Sequence, residues 1–184
     1  WATQFVYGIE KDYRLVKVGK VGCYLHGDGL ANVILSDGLA SFKNTQEYKD
    51  LLKKTDVNFP KENKQFDIVI SNPPYSVSAF KTPARSYYTE KDFDLYDAFT
   101  DNSSEIESLF VERTKQLLKD GGMAGIILPS SILSNIGIYT KTREIILQYF
   151  EIIGITELGK NTFMATNTNT VVLFLRRRNN YDSI

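Results

Sequence analysis

The run Asn72-Pro73-Pro74-Tyr75 joins residue types that together can hold an amine. Two prolines remove two backbone donors and stiffen the chain, which leaves the Asn72 side-chain oxygen and the Pro73 carbonyl as fixed acceptors side by side. Such a pair suits an NH2 group. An exocyclic amine conjugated to a ring is a poor nucleophile because its lone pair is delocalised. Two acceptors on its hydrogens favour a pyramidal nitrogen and stabilise the positive charge gained during attack. Asparagine needs no proton removal before attack, and the substituted amine can release its proton to water afterwards. Tyr75 adds a flat face on which a ring can stack. On flat composition a given tetrapeptide occurs in a chain of this size with a chance of roughly one in a thousand. The plain alternative is an extended turn, since each proline forces its predecessor toward β or polyproline geometry.

Two acids stand at comparable places. Glu10 closes the strand-like run Phe5-Val6-Tyr7-Gly8-Ile9, and Asp37 follows the short run Val33-Ile34-Leu35. Open α/β sheets bind ligands at the carboxyl ends of their strands. Two carboxylates at consecutive strand ends suit a nucleoside, one accepting the ribose hydroxyls and the other the exocyclic amine of adenine. Strand ends also face water, so an acid there has an ordinary explanation. Gly19, Gly22, Gly27 and Gly29 form neither phosphate-loop pattern and read as helix packing and a helix stop. Phe163 and Phe110, each taken alone, read as core.

The elements that must position these residues alternate short β-rich runs with helical periodicity, the pattern of parallel strands joined by crossover helices in an α/β layer fold. Leu15, Val18, Gly22 and Leu25 predict a helix over 11–26, stopped at His26-Gly27-Asp28-Gly29. A polar helix is expected over 45–54, and the clearest strand, 66–71, runs straight into Asn72. Between Ser76 and Ser103 no period holds, which marks a functional or mobile loop. Ser104 with Glu107 forms a capping box before Leu109, Phe110, Leu117 and Leu118, and Gly121-Gly122 closes that helix. Strands are expected over 123–128, 152–157 and 170–175, with a helix over 139–150. The run Arg176-Arg177-Arg178 reads as a solvated stub, with DNA phosphate as its alternative partner.

Composition sets the outer bounds. The 184 residues are 42% hydrophobic, with 22 basic and 22 acidic side chains. That describes one globular domain or a piece of one, and excludes a strongly basic coat protein. One cysteine, Cys23, and one histidine, His26, cannot make a disulfide framework or a four-ligand zinc site. No apolar run approaches the ~18 residues of a membrane span, and no leader-like segment opens the chain. The expectation is a cytoplasmic protein with no membrane partner and no metal. The chain starts at Trp1 and enters a strand-like run almost at once, as though cut from something longer.

With these residues in view, the sequence resembles the S-adenosylmethionine-dependent amino-methyltransferases. Within them it is most similar to the adenine-N6 DNA methyltransferases of bacterial restriction-modification systems, above all type I modification subunits and related fused enzymes. Val6-Tyr7-Gly8-Ile9-Glu10 resembles the segment whose acid holds the cofactor ribose. Ser36-Asp37-Gly38-Leu39 resembles the one that meets the cofactor adenine. Asn72-Pro73-Pro74-Tyr75 is similar to the catalytic motif. Leu117 to Gly122, leading to Ile126-Ile127-Leu128-Pro129, resembles the helix and strand that follow it. Asn161-Thr162-Phe163, with Thr168 and 170–174, resembles a later motif whose aromatic residue packs on the flipped base.

The resemblance implies a Rossmann-like class I methyltransferase fold, α/β and three-layered, over 1–184. It implies a site in which Asn72, Pro73, Pro74 and Tyr75 are catalytic. Glu10, Asp37, Gly38, Leu39, Asn72 and Pro73 would bind S-adenosyl-L-methionine, and Tyr75 and Phe163 would stack on the target base. The partners implied are double-stranded DNA with a flipped adenine, a specificity subunit and a restriction subunit. The family's glycine-rich cofactor loop and the strand before it are absent ahead of Glu10. The sheet should therefore be incomplete, with two strand edges left unpaired. The chain by itself is expected to bind cofactor weakly or not at all and to be inactive. A target-recognition domain is also missing. The loop 76–103 is the element expected to touch the extruded nucleotide. Two other readings stay open: a glutamine or ribosomal RNA guanine methyltransferase, whose families carry the same tetrapeptide, and a non-catalytic docking fragment of a modification subunit.

Overall fold

A computed structural model describes residues 2–29, 32–43, 45–48, 51–52, 61–159, 162–163 and 168–179. The chain divides into two units, Trp1–Lys53 and Lys54–Ile184.

The first unit holds helix α1 (Ala2–Phe5), strand β1 (Tyr7–Glu10), helix α2 (Tyr13–Leu25) and strand β2 (Asn32–Leu35). The first strand starts two residues later than its β-rich composition suggests. Asn32 Nδ2 donates to the carbonyls of Thr3 and Val6, and the Tyr7 phenol donates to the Gln4 carbonyl. These bonds hold 2–5 in one helical turn. β1 and β2 pair in parallel with Glu10 opposite Leu35. Asp12 caps α2, accepting the amides of Arg14 and Leu15. The Arg14 side chain and those amides hold the Asp12 carboxyl below its ordinary range. Of the expected helix over 45–54, the described part is a single 3₁₀ turn, Gln46–Tyr48. There the fully buried Tyr48 donates its phenol to the Asp37 carbonyl, and this tertiary anchor outweighs helix propensity. Residues 49–50 and 53–54 lie outside the described residues.

The second unit is built on a four-stranded sheet in the order β3-β4-β6-β5. Its strands are β3 (Phe66–Ser71), β4 (Leu118–Pro129), β5 (Phe150–Glu157) and β6 (Thr170–Arg177). β3 and β4 run parallel, but β6 is antiparallel to both of its neighbours, so the sheet is mixed where the sequence pattern suggested parallel strands throughout. A twelve-residue connection between β5 and β6 allows an antiparallel return, whereas a parallel pair needs a crossover element. Helix α4 (Glu107–Leu117) precedes β4, and α5 (Ile138–Tyr149) precedes β5. Ile126, Leu128, Leu173, Leu175, Val111 and Phe150 form the core between sheet and helices. Among the described residues β1 pairs only with β2 and β3 only with β4, so each of these strands leaves one edge without a strand partner.

Four expectations about this unit change. The segment 76–103 is folded: it carries the short helix α3 (Lys81–Ala84), a 3₁₀ turn at 96–98 and a cluster of buried rings. Phe80 packs edge-on against Phe99, and Tyr88 against both Phe93 and Tyr96. Contacts between aromatic rings have no sequence period, which is why no periodicity showed. The capping box at Ser104 does not form. The residue before α4 is Ile106, without a side-chain cap, and the Glu107 carboxylate accepts the Ser76 amide and the Tyr139 phenol. Gly121-Gly122 does not close α4, which ends at Leu117. The two glycines sit inside β4, where the register against β3 shifts between Phe66 and Ile68. Gly121 has φ +78°, and a Cβ on Gly122 would lie 2.9 Å from the Lys119 carbonyl. Finally, the arginine run is not a solvated stub. Arg177 is buried against Glu62, Arg176 pairs with Glu151, and Arg178 donates to the Phe150 carbonyl.

Candidate active site

The tetrapeptide leaves β3 at its carboxyl end. β3 ends at Ser71, and the two prolines carry the chain out of the sheet. Pro73 is buried, while Asn72 and Pro74 are exposed and Tyr75 is half-buried. The Tyr75 phenol lies 2.8 Å from Asn72 Oδ1 and 3.3 Å from the Ile127 carbonyl of β4. Asn72 Oδ1 is therefore not a free acceptor, as the tetrapeptide alone suggested. It receives the phenol on one lone pair and keeps the other for an incoming donor. No donor among the described residues reaches the Pro73 carbonyl. Burial pushes the Tyr75 phenol up to about 12, with the nearby Glu107 carboxylate adding to the shift, so the ring stays a neutral donor at physiological pH.

Just beyond, Ser76 takes a left-handed φ of +52°, and Ala79 does so at +51°. Non-glycine residues rarely adopt such values. The Ser76 amide donates to Glu107 Oε2 at 3.3 Å, and the Tyr139 phenol of α5 donates to Glu107 Oε1. Glu107 is fully buried, and burial raises its pKa against the opposing pull of the Tyr139 bond. Neither Glu107 nor Tyr139 was singled out from the sequence as a site residue. Glu107 had a local explanation in the supposed capping box, and Tyr139 lies 64 positions from Tyr75 with no pattern linking them.

In the first unit, Glu10 and Asp37 stand at the carboxyl ends of adjacent parallel strands. Glu10 Oε1 accepts the Asp12 amide at 2.7 Å. Asp37 Oδ1 accepts the Leu39 amide at 2.9 Å, and its Oδ2 pairs with Lys11 at 2.8 Å. Asp37 is thus held in a defined rotamer, beside a lysine that the sequence reading did not single out. Gly38 is half-buried and Leu39 fully buried in the turn that follows. A pair of half-buried carboxylates with lone pairs to spare fits a nucleoside, whose hydroxyls and amine are donors. Phe163 is half-buried, and the Thr162 hydroxyl and amide both reach the Gly159 carbonyl. Asn161 lies outside the described residues. Among the described residues no group of three His, Cys, Asp or Glu side chains could hold a metal ion.

The Escherichia coli type II restriction enzyme and methyltransferase RM.Eco57I is 26% identical over 95% of this chain and 19% of its own length. The Mycoplasma pneumoniae type I restriction enzyme MpnII methylase subunit is 26% identical over 93% of this chain and 30% of its own. The chain therefore spans less than a third of these relatives. Among solved structures, a class I S-adenosylmethionine-dependent methyltransferase from Listeria monocytogenes superposes with a TM-score of 0.68 over 96% of this chain and 46% of its own, at 21% identity. The type I restriction enzyme EcoKI M protein does so with a TM-score of 0.65 over 93% of this chain and 30% of its own, at 20% identity. These likenesses show a class I, Rossmann-like methyltransferase fold. The model of the N-6 DNA methylase family matches residues 2–184, and the chain belongs to that family.

Proposed function

We propose that this chain is part of the catalytic domain of an S-adenosylmethionine-dependent DNA methyltransferase that modifies the N6 amine of adenine within a restriction-modification system. The observation that carries the reading is the Asn72-Pro73-Pro74-Tyr75 turn at the carboxyl end of β3, with one lone pair of Asn72 Oδ1 and the Pro73 carbonyl left for a donor. Asn72 and Pro73 each accept one hydrogen of the target amine, which localises its lone pair for attack. Tyr75 covers one face of the extruded base, and Phe163 the other. Glu10 holds the ribose of the cofactor. Asp37, with the Gly38-Leu39 turn, receives its adenine. When bound, the cofactor supplies an electrophilic methyl group on a sulfonium. The proton left on the methylated amine goes to water, since no described side chain in the turn is a base.

The parent protein is longer than this chain, in keeping with relatives of which it spans less than a third. Residues 1–184 supply part of a single methyltransferase domain. DNA is the substrate, and specificity and restriction subunits or fused domains are the partners. The test is to incubate the complete protein with S-adenosylmethionine and unmethylated DNA, then identify the modified nucleoside by mass spectrometry. N6-methyladenine is the expected product. Methylated guanine in RNA, or methylated glutamine in a protein, with unmodified DNA would replace this reading.

A further inference from the structure

Glu107 is the first residue of α4 and is fully buried, yet no basic side chain among the described residues pairs with it. An unpaired buried carboxylate works against folding, so its presence asks for a purpose other than stability. Its two oxygens face two different elements. Oε2 receives the amide of Ser76, and Oε1 receives the phenol of Tyr139. Ser76 is the first residue after the catalytic turn and sits at φ +52°, a conformation that a serine holds only when its surroundings impose it. Tyr75, its neighbour, places its phenol 2.8 Å from Asn72 Oδ1.

We propose that Glu107 is a positioning residue for the transfer site: by gripping the Ser76 amide and the Tyr139 phenol together, it fixes the left-handed turn behind Tyr75 and thereby the orientation of the Asn72 side chain. The inference rests on the methyltransferase reading above. A carboxylate suits the task because it accepts two donors at once, and both groups presented to it are donors. α4 suits it as well, because nine of its residues are buried and it is held firmly in the core. The closeness of Glu107 also shows in Tyr75, whose phenol it helps to hold un-ionised.

The experiment compares wild type, Glu107→Ala and Glu107→Gln in the complete protein. Two quantities are read: hydrogen exchange at the Ser76 amide, and kcat and KM for methylation. Exchange needs no activity, so it is separable from the functional reading. In Glu107→Ala the Ser76 amide should exchange ~10-fold faster or more. There kcat should fall ~10-fold to ~10²-fold, with KM for the cofactor unchanged, as expected when reacting groups are displaced but not removed. Glu107→Gln should restore both quantities to within ~3-fold, because its carbonyl still accepts from Ser76 while its NH2 donates to the Tyr139 oxygen. Unchanged Ser76 exchange in Glu107→Ala would overturn the proposal, as would faster exchange with normal kcat. A Glu107→Gln protein that protects Ser76 yet loses as much kcat as Glu107→Ala would overturn it too, since charge would then matter and position would not. A wild type that protects Ser76 but methylates no DNA would instead overturn the underlying reading.

Discussion

Helices α2 and α4 are of similar length and sit in opposite surroundings. Of the 13 residues of α2 only Val16 is buried, while Leu15, Val18 and Leu25 stand 57%, 67% and 75% exposed. Of the 11 residues of α4 nine are buried, and four of those, Glu107, Glu112, Arg113 and Lys115, are charged or chargeable. Apolar side chains thus stand in water on α2 and charged ones lie inside on α4, each against the usual preference. The difference lies in what surrounds each helix. α4 packs against the folded segment 76–103, the sheet and α5, and three of its polar side chains bond backbone groups of that segment. Glu107 takes the Ser76 amide, Glu112 takes the amides of Asp94 and Leu95, and Gln116 donates to the Asp92 carbonyl. α4 is thereby the post to which the segment leaving the Asn72-Pro73-Pro74-Tyr75 turn is fastened, at its start by Glu107 and in its middle by Glu112 and Gln116. α2 fastens nothing comparable among the described residues.

Five substitutions and a titration sharpen this contrast. The largest effect is expected at Glu62, which accepts Arg177 at 3.2 Å and Lys115 of α4 at 3.3 Å in a nearly dry cluster. Glu62→Ala removes the carboxylate nearest both buried cations, leaving Lys115 with Asp94 at 3.9 Å, and should cost about 3–5 kcal/mol in denaturant unfolding. A loss below ~1 kcal/mol would show that water or another anion compensates. Next is Glu112→Ala, which orphans the Asp94 and Leu95 amides at about 1–3 kcal/mol for each. Hydrogen exchange should localise the damage to those two amides, and loss of protection spread over the sheet would refute the fastening role.

The titration follows from burial. Desolvation raises the pKa of both Glu107 and Glu112 above the ordinary carboxylate value. A raised folded-state value means that the native state binds these protons more tightly than the unfolded chain does. Their contribution to stability is then complete below the ordinary value and is lost as pH climbs through the raised one. The unfolding midpoint should therefore rise as the solution is taken from neutral toward mildly acid pH, and Glu112→Gln should flatten that rise. The smallest effect is expected on α2. Val18→Gln and Leu25→Gln, at positions already in water, should each change stability by no more than ~0.5 kcal/mol. A cost near the ~2–5 kcal/mol of a core truncation would mean that this face is covered in the complete protein.

The same contrast explains what could be read in advance. β3 and the turn after it were legible because an apolar strand running into two prolines has few other solutions, and the family resemblance rested on the same residues. The alternating burial of β4 and β6 was legible as short apolar runs, but the antiparallel direction of β6 was not, since alternation is the same in both directions. The role of Glu107 was hidden by a local rule that fitted equally well: serine followed by glutamate three positions on matches a capping box whether or not the carboxylate turns back. The Arg177–Glu62 pair joins residues 115 positions apart, and only the assembled fold brings them together. The ring cluster of 76–103 is likewise held by contacts without sequence period. The place of the tetrapeptide at a strand end was readable; what holds it still was not.

The central claim is that Asn72 and Pro73 draw out the lone pair of a ring amine. It is tested most directly by single-turnover methylation of duplex DNA with the complete protein, wild type against Asn72→Ala, at saturating S-adenosylmethionine. The account predicts a rate lowered ~10²-fold or more, as follows from loss of a preorganised acceptor, with cofactor affinity retained. A near-normal rate in Asn72→Ala would contradict it.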